Sequence, residues 1–272
     1  IIKKDKYDFI FKPFTQIVVS PGISNSNKIS NEDSSNNSYS LDNVNSLNRY
    51  TGSDKMDNSK RINYGISANN DYFKIDLSQS YEFTDNSNFH NEQGNDDHLS
   101  DLLGSFEYSN INFFNYKFRY DFNDELLKEK NINIKNKFNF GETKFSYLDL
   151  KSKKDNIITS DTETLNYDFL SEKFLKFSKI NVSGLYDMKK EINTEYSIGY
   201  RYFDECFGIN LDFKRKSYEE DNLKPQDVLT LMFSFKNIGS YKSTNLAVSE
   251  KDKQDIEWET GDIDNEEFEE FK

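Results

Sequence analysis

Apolar and polar residues alternate one by one through most of this chain, and a period of two marks extended strands with one greasy and one wet face. Phe114, Tyr116, Phe118, Tyr120 and Phe122 share one face; Asn115, Lys117, Arg119 and Asp121 share the other. Phe73, Ile75, Leu77, Tyr81 and Phe83 oppose Lys74, Asp76, Ser78 and Glu82 in the same way. Phe207, Ile209, Leu211 and Phe213 oppose Gly208, Asn210, Asp212 and Lys214, and Leu229, Leu231, Phe233 and Phe235 oppose Thr230, Ser234 and Lys236. The pattern predicts about twelve strands of roughly the length a membrane β-strand needs. They fall near 7–20, 60–68, 71–83, 103–109, 112–122, 131–140, 143–151, 162–170, 175–186, 190–202, 206–217 and 227–238. Helical periodicity is nearly absent, and Leu126–Lys130 reads as one helical turn at most. Pro13 has no amide hydrogen for a ladder, so a local bend is expected there.

The connectors alternate in length. Short turns are expected at Asn69-Asn70, Asn110-Ile111, Gly141-Glu142, 171–174 and Phe203–Glu205; longer polar loops fall at 21–59, 84–102, 123–130, 152–161 and 218–226, and 187–189 is a short exception. Short turns on one side and long loops on the other characterise an outer-membrane barrel. If the last strand, 227–238, descends toward the periplasm, every short turn falls on the periplasmic side. In such a barrel the polar faces line a wet lumen, so Lys117, Arg119, Asn210, Asp212 and Lys214 are expected to face it, with the aromatics toward lipid.

Composition removes several function classes. Only 35 % of the residues are hydrophobic, yet 24 Phe and 17 Tyr are far too many for an ordinary disordered chain. A formal charge of −13 disfavours nucleic acid, which needs Lys and Arg for its phosphates. Transmembrane helices are absent, because no run of apolar residues is long enough. The acidic segment 241–272 is expected to be a disordered tail following the barrel part, 1–240. The chain opens on Ile1 within a strand-like run, which predicts a segment of a larger barrel, an open curved sheet when taken alone.

Three stretches resemble the C-terminal barrel of the LptD family of Gram-negative lipopolysaccharide-assembly proteins. The first is "SNEDSSNNSYSLDNVNSLNRYTGSDKMDNSKRINYGIS", residues 30–67. It carries an Asn31-Glu32-Asp33-Ser34 segment, then Asn48, Arg49, Tyr50, Gly52 and Asp54 in a turn pattern, then Arg61 leading into Tyr64-Gly65. The others are "HLSDLLGSFEYS" and "YFDECFGINLDFKR" with "LTLMFSFKNIGS" beyond it. The chain departs from the family in having more Asn, Lys and Ile in its loops, and its acidic tail matches no family feature. The resemblance implies an outer-membrane protein that inserts lipopolysaccharide into the outer leaflet through a lumen and a lateral gate. It implies a plug lipoprotein, LptE where present, and an LptA-like periplasmic bridge as partners besides lipopolysaccharide and the lipid bilayer. It makes strand 227–238, with Leu229, Leu231, Phe233 and Phe235, the gate strand. It also implies that Cys206, the single cysteine, forms a disulfide with a partner outside this chain.

Two other readings fit the alternation: a passive porin or nutrient-uptake barrel, and a soluble Asn-rich surface-binding β protein. Enzymatic chemistry and cofactors are not expected. His90, Glu92, Asp96, Asp97 and His98 share one loop, but their spacing fits no standard metal site.

Overall fold

The computed structural model describes residues 2–4, 7–20, 39–52, 54, 57–83, 95–96, 98–154, 157–172, 175–217, 226–236, 238–247 and 257–261. Its regular elements are all strands. They are β1 Ile2–Lys4, β2 Tyr7–Val19, β3 Lys60–Asn69, β4 Phe73–Glu82, β5 Asn95–Asp96, β6 Leu99–Ser100, β7 Leu102–Ser109, β8 Phe113–Asp121 and β9 Leu126–Phe138. They continue with β10 Gly141–Lys154, β11 Ile157–Ser171, β12 Ser178–Asp187, β13 Ile192–Phe203, β14 Phe207–Lys216, β15 Gln226–Phe235, β16 Gly239–Ala247 and β17 Glu257–Gly261. The chain divides into two compact units, Ile1–Asn133 with Leu148–Thr162, and Ile134–Tyr147 with Glu163–Lys272.

In the first unit β1, β2, β3, β4, β7 and β8 form an antiparallel meander, with the small β5–β6 hairpin set against the end of β4. In the second unit β11 through β17 pair antiparallel in chain order. Several turns follow from one local device: an Asx side chain that accepts the amides two and three residues on. Asn70 Oδ1 takes the amides of Tyr72 and Phe73 at 2.8 and 2.7 Å, and Asp204 Oδ1 takes those of Cys206 and Phe207, both at 2.9 Å. Asp121 and Asp187 cap turns that each end on a glutamate with positive φ, Glu125 at 49° and Glu191 at 55°.

The faces are inverted relative to a water-soluble sheet. Among the described residues twenty polar or charged side chains are buried, against six apolar ones. Arg61, Asn63, Ser80 and Glu82 are fully buried, whereas Ile17 is 71 % and Phe83 58 % exposed. The period of two explains the pattern. Along β3 and β4 most polar residues point to one face and most apolar residues to the other, with Lys60 and Gln79 on the apolar side. On the apolar face of the first unit the rings of Phe73 and Tyr108 meet tilted with centroids 5.0 Å apart, and in the second unit those of Phe207 and Phe235 meet in the same way at 5.2 Å. Tyrosine hydroxyls find polar partners: Tyr64 donates to Gln79 at 2.8 Å, and Tyr202 near the end of β13 to Asp204 at 3.2 Å. A soluble β-sandwich buries its apolar face instead, so that reading fails.

Several expected boundaries move. Leu126–Lys130 opens β9 rather than forming a helical turn, because residues 122–125 already close the β8–β9 hairpin. Gly141 and Glu142 begin β10, and the turn is Asn139-Phe140. Strands β10 and β11 consume most of the loop expected at 152–161. The ladder passes Pro13 opposite Ile66 without a register shift. Finally, strand 227–238 is not an edge: β15 pairs with β14 on one side and with β16 on the other. Pairing therefore continues past residue 240, into the segment expected to be a tail.

Candidate functional site

A connecting segment within 39–59, described at residues 39–52, 54 and 57–59, lies over the polar face of β3 and β4 in the first unit. It starts with a turn in which Ser40 O accepts the amides of Asn43 and Val44 at 3.2 and 2.9 Å, while Asn43 Oδ1 accepts the Ser40 amide at 2.9 Å. Asn48 then ties the segment to itself, its Oδ1 accepting the amides of Tyr50 and Asp57 at 3.3 and 3.1 Å. Gly52 has φ of 85°, a left-handed conformation that a side chain would strain. Tyr39, Val44 and Tyr50 pack on Leu103, an apolar residue among the polar positions of β7.

Beneath the segment sit four buried charges. The Arg49 guanidinium holds Asp57 through Nε and Nη2, reaches Glu82 Oε1 on β4, and donates to the Tyr39 hydroxyl. Arg61 on β3 holds the same Asp57 at 3.0 Å and also donates to Ser59 and to the Ser46 carbonyl. Two cations thus meet two carboxylates with their side chains wholly out of solvent. Burial, with Asp57 adding to it, pushes the Tyr50 hydroxyl up to about 12, so it stays a neutral donor.

A second balanced cluster lies further along the polar face. Lys128 bonds Asp121 and stands 3.4 Å from Asp101, whose other oxygen is 3.6 Å from Arg119 Nε. Lys130 and Asp149 extend the row at 2.8 Å. Low local dielectric strengthens each pair, but only complete pairing offsets the desolvation of so many charges.

The expected site residues divide as follows. Asn48, Arg49, Tyr50, Gly52 and Asp54 belong to the strap 39–59, while Asn31, Glu32 and Asp33 lie outside the described residues, as do His90, Glu92 and Asp97. Arg119 is buried in the second cluster, and Lys117 is half exposed, 3.9 Å from Asp42. In the second unit Lys214 pairs with Glu195, and Asp212 and Asn181 fold over Gly199, where an added Cβ would lie 2.4 and 2.1 Å from their oxygens. Leu229, Leu231, Phe233 and Phe235 stand opposite Phe213, Leu211, Ile209 and Phe207 within a two-sided ladder. Cys206 is exposed in the β13–β14 turn as a free thiol. Sequence reasoning missed Tyr39, Asp57, Glu82 and Lys128. Glu82 alone carried a signal, as a charge closing the polar face of a strand.

An antiparallel meander with its polar face buried and its apolar face exposed, in strands mostly of nine or more residues, defines an outer-membrane β-barrel protein. The model of the family LptD, LPS transport system D, matches residues 2–192. The chain belongs to that family, whose members are outer-membrane transport proteins acting on lipopolysaccharide. No curated protein matches it.

Proposed function

We infer that this chain is part of the wall of a translocon that inserts lipopolysaccharide into the outer leaflet of the cell outer membrane. The observation that carries the reading is the inversion of the faces: buried ion pairs on one side, exposed Ile, Phe and Tyr on the other. In this reading Lys117, Arg119, Asn210, Asp212 and Lys214 line the lumen that takes the saccharide. The acyl chains leave sideways through a gate into the bilayer. In this reading Leu229, Leu231, Phe233 and Phe235 of β15, a strand paired with both β14 and β16, stand on the wall beside that gate. No covalent step is involved. A freely conducting porin fits less well, since the strap 39–59 is bound to the inner wall by buried charges.

The partners in this reading are a plug lipoprotein of the LptE type in the lumen and an LptA-like bridge protein that delivers substrate from the periplasm. Cys206 stands at a turn on the short-turn side, accessible for a disulfide to a segment outside this chain. Non-reducing electrophoresis of the full-length protein tests that bond: wild type and Cys206→Ser should differ in mobility, and identical mobility refutes it. The function itself is tested by depleting the protein and measuring lipopolysaccharide that reaches the outer leaflet. A steep fall is expected, and unchanged arrival overturns the reading.

A further inference from the structure

The polar wall of the first unit contains a hollow. In the register of β4, β7 and β8, Lys74, Glu107 and Asn115 stand side by side, and Asp76, Ser105 and Lys117 form the next row. The short Ser105 side chain is thus surrounded by charges of alternating sign. The cavity over it has a volume of about 360 Å³, with the ring of Phe14 in its wall and Asp42 and Asn45 of the strap turn over it.

Its chemistry selects among ligands. An acyl chain would strand these charges without water or partners. A polyanion would meet three carboxylates, Asp42, Asp76 and Glu107, against two lysines. Sugar hydroxyls donate and accept at once, so one ring can serve an ammonium and a carboxylate together while its C–H face meets Phe14. Groups stand ready for it. Among the described residues Glu107, which lines the hollow, has no ion-pair partner, while Lys74 pairs with Asp76 and Lys117 with Asp42. The volume lies at the small end of ligand sites, enough for one or two sugar rings.

The roof is held differently from its root. At the root Arg49 is buried in a four-charge network, whereas over the hollow Asp42 meets Lys117 at 3.9 Å with its side chain 86 % exposed. Such an exposed pair is screened by solvent and holds little. The same turn is anchored by Val44, buried against Tyr39, Tyr50 and Leu103. We propose that the hollow over Ser105, roofed by the turn 41–45, is a saccharide-binding site. It rests on the reading of this face as the lumen and gives the passing saccharide a place to dwell.

The experiment is a calorimetric titration of the full-length protein in detergent with deacylated, water-soluble lipopolysaccharide oligosaccharide, with a maltooligosaccharide of equal length as the second probe. Saturable binding of the first is expected, and binding of both would mean a general sugar site. Ser105→Trp fills the hollow and should weaken binding at least tenfold. Glu107→Gln keeps the shape and should also weaken it, which preserves the test if the tryptophan variant misfolds; heat-modifiable gel mobility reports folding. A flat wild-type titration, or folded variants that bind like wild type, overturns the inference. The depletion experiment is independent: export that needs the protein beside a flat titration refutes this site and leaves the proposed function intact.

Discussion

Removing the Arg49 guanidinium should release the strap and leave the strands paired. In Arg49→Met the side chain keeps its bulk, but Asp57 and Glu82 lose the group that bridges them, and Tyr39 loses a donor. Arg61 alone then faces two buried carboxylates. Breaking one side of a fully buried ionic network costs about 3–5 kcal/mol, since the stranded charge stays desolvated. At 1.4 kcal/mol per decade, this raises the open population of the strap by about 10²-fold to nearly 10⁴-fold. Hydrogen exchange of the full-length protein in detergent reads it directly, as faster exchange of the amides of Val44, Tyr50 and Asp57. Amides of β3 and β4 near Gly65 and Ser78 should keep wild-type rates. Arg49→Lys retains the charge but lacks the planar fork, and should fall between. Unchanged exchange in 39–59 would refute the ionic-root argument. Equal acceleration in the strands would show that the strap supports the wall rather than resting on it.

Three further outcomes follow from the geometry. Gly65→Ala should destabilise the β3–β4 pair by about 1–3 kcal/mol, because an overpacked position must shift its surroundings; the new Cβ would lie 2.2 Å from the Leu77 carbonyl oxygen, and the folded fraction on heat-modifiable gels should fall. Leu211→Arg on the apolar face of β14 should cost about 2–4 kcal/mol in a bilayer, measured by refolding into lipid vesicles, and a neutral result would contradict lipid exposure. The amides of Cys206 and Phe207 hold the exposed Asp204 carboxyl below its usual range. Its contribution is therefore complete above the ordinary aspartate pKa and is lost as pH falls through the depressed value. Acid should loosen the β13–β14 turn in wild type, and Asp204→Ala should abolish that pH response in the exchange of the Phe207 amide.

Local interactions were legible in the sequence. Alternation over β4, β8 and β14 identifies strands because neighbouring side chains of an extended chain must point to opposite faces. Asn70, Asp121, Asp187 and Asp204 act within three residues of themselves, so their turns fall close to where the polar clusters suggest. Other features depend on partners remote in sequence. Residues 239–247 lack clean alternation and become β16 because β15 offers an open ladder beside them. Alternation is also silent about which face meets water, since lipid outside and apolar core inside demand the same pattern. The strap shows the limit most clearly. Its Asn-Ser-Asp composition reads as a solvated loop, yet Arg49 closes on Glu82 thirty-three residues away. Only the folded sheet brings Glu82 and Arg61 to one face, and only there does an arginine in a polar loop have two carboxylates to neutralise.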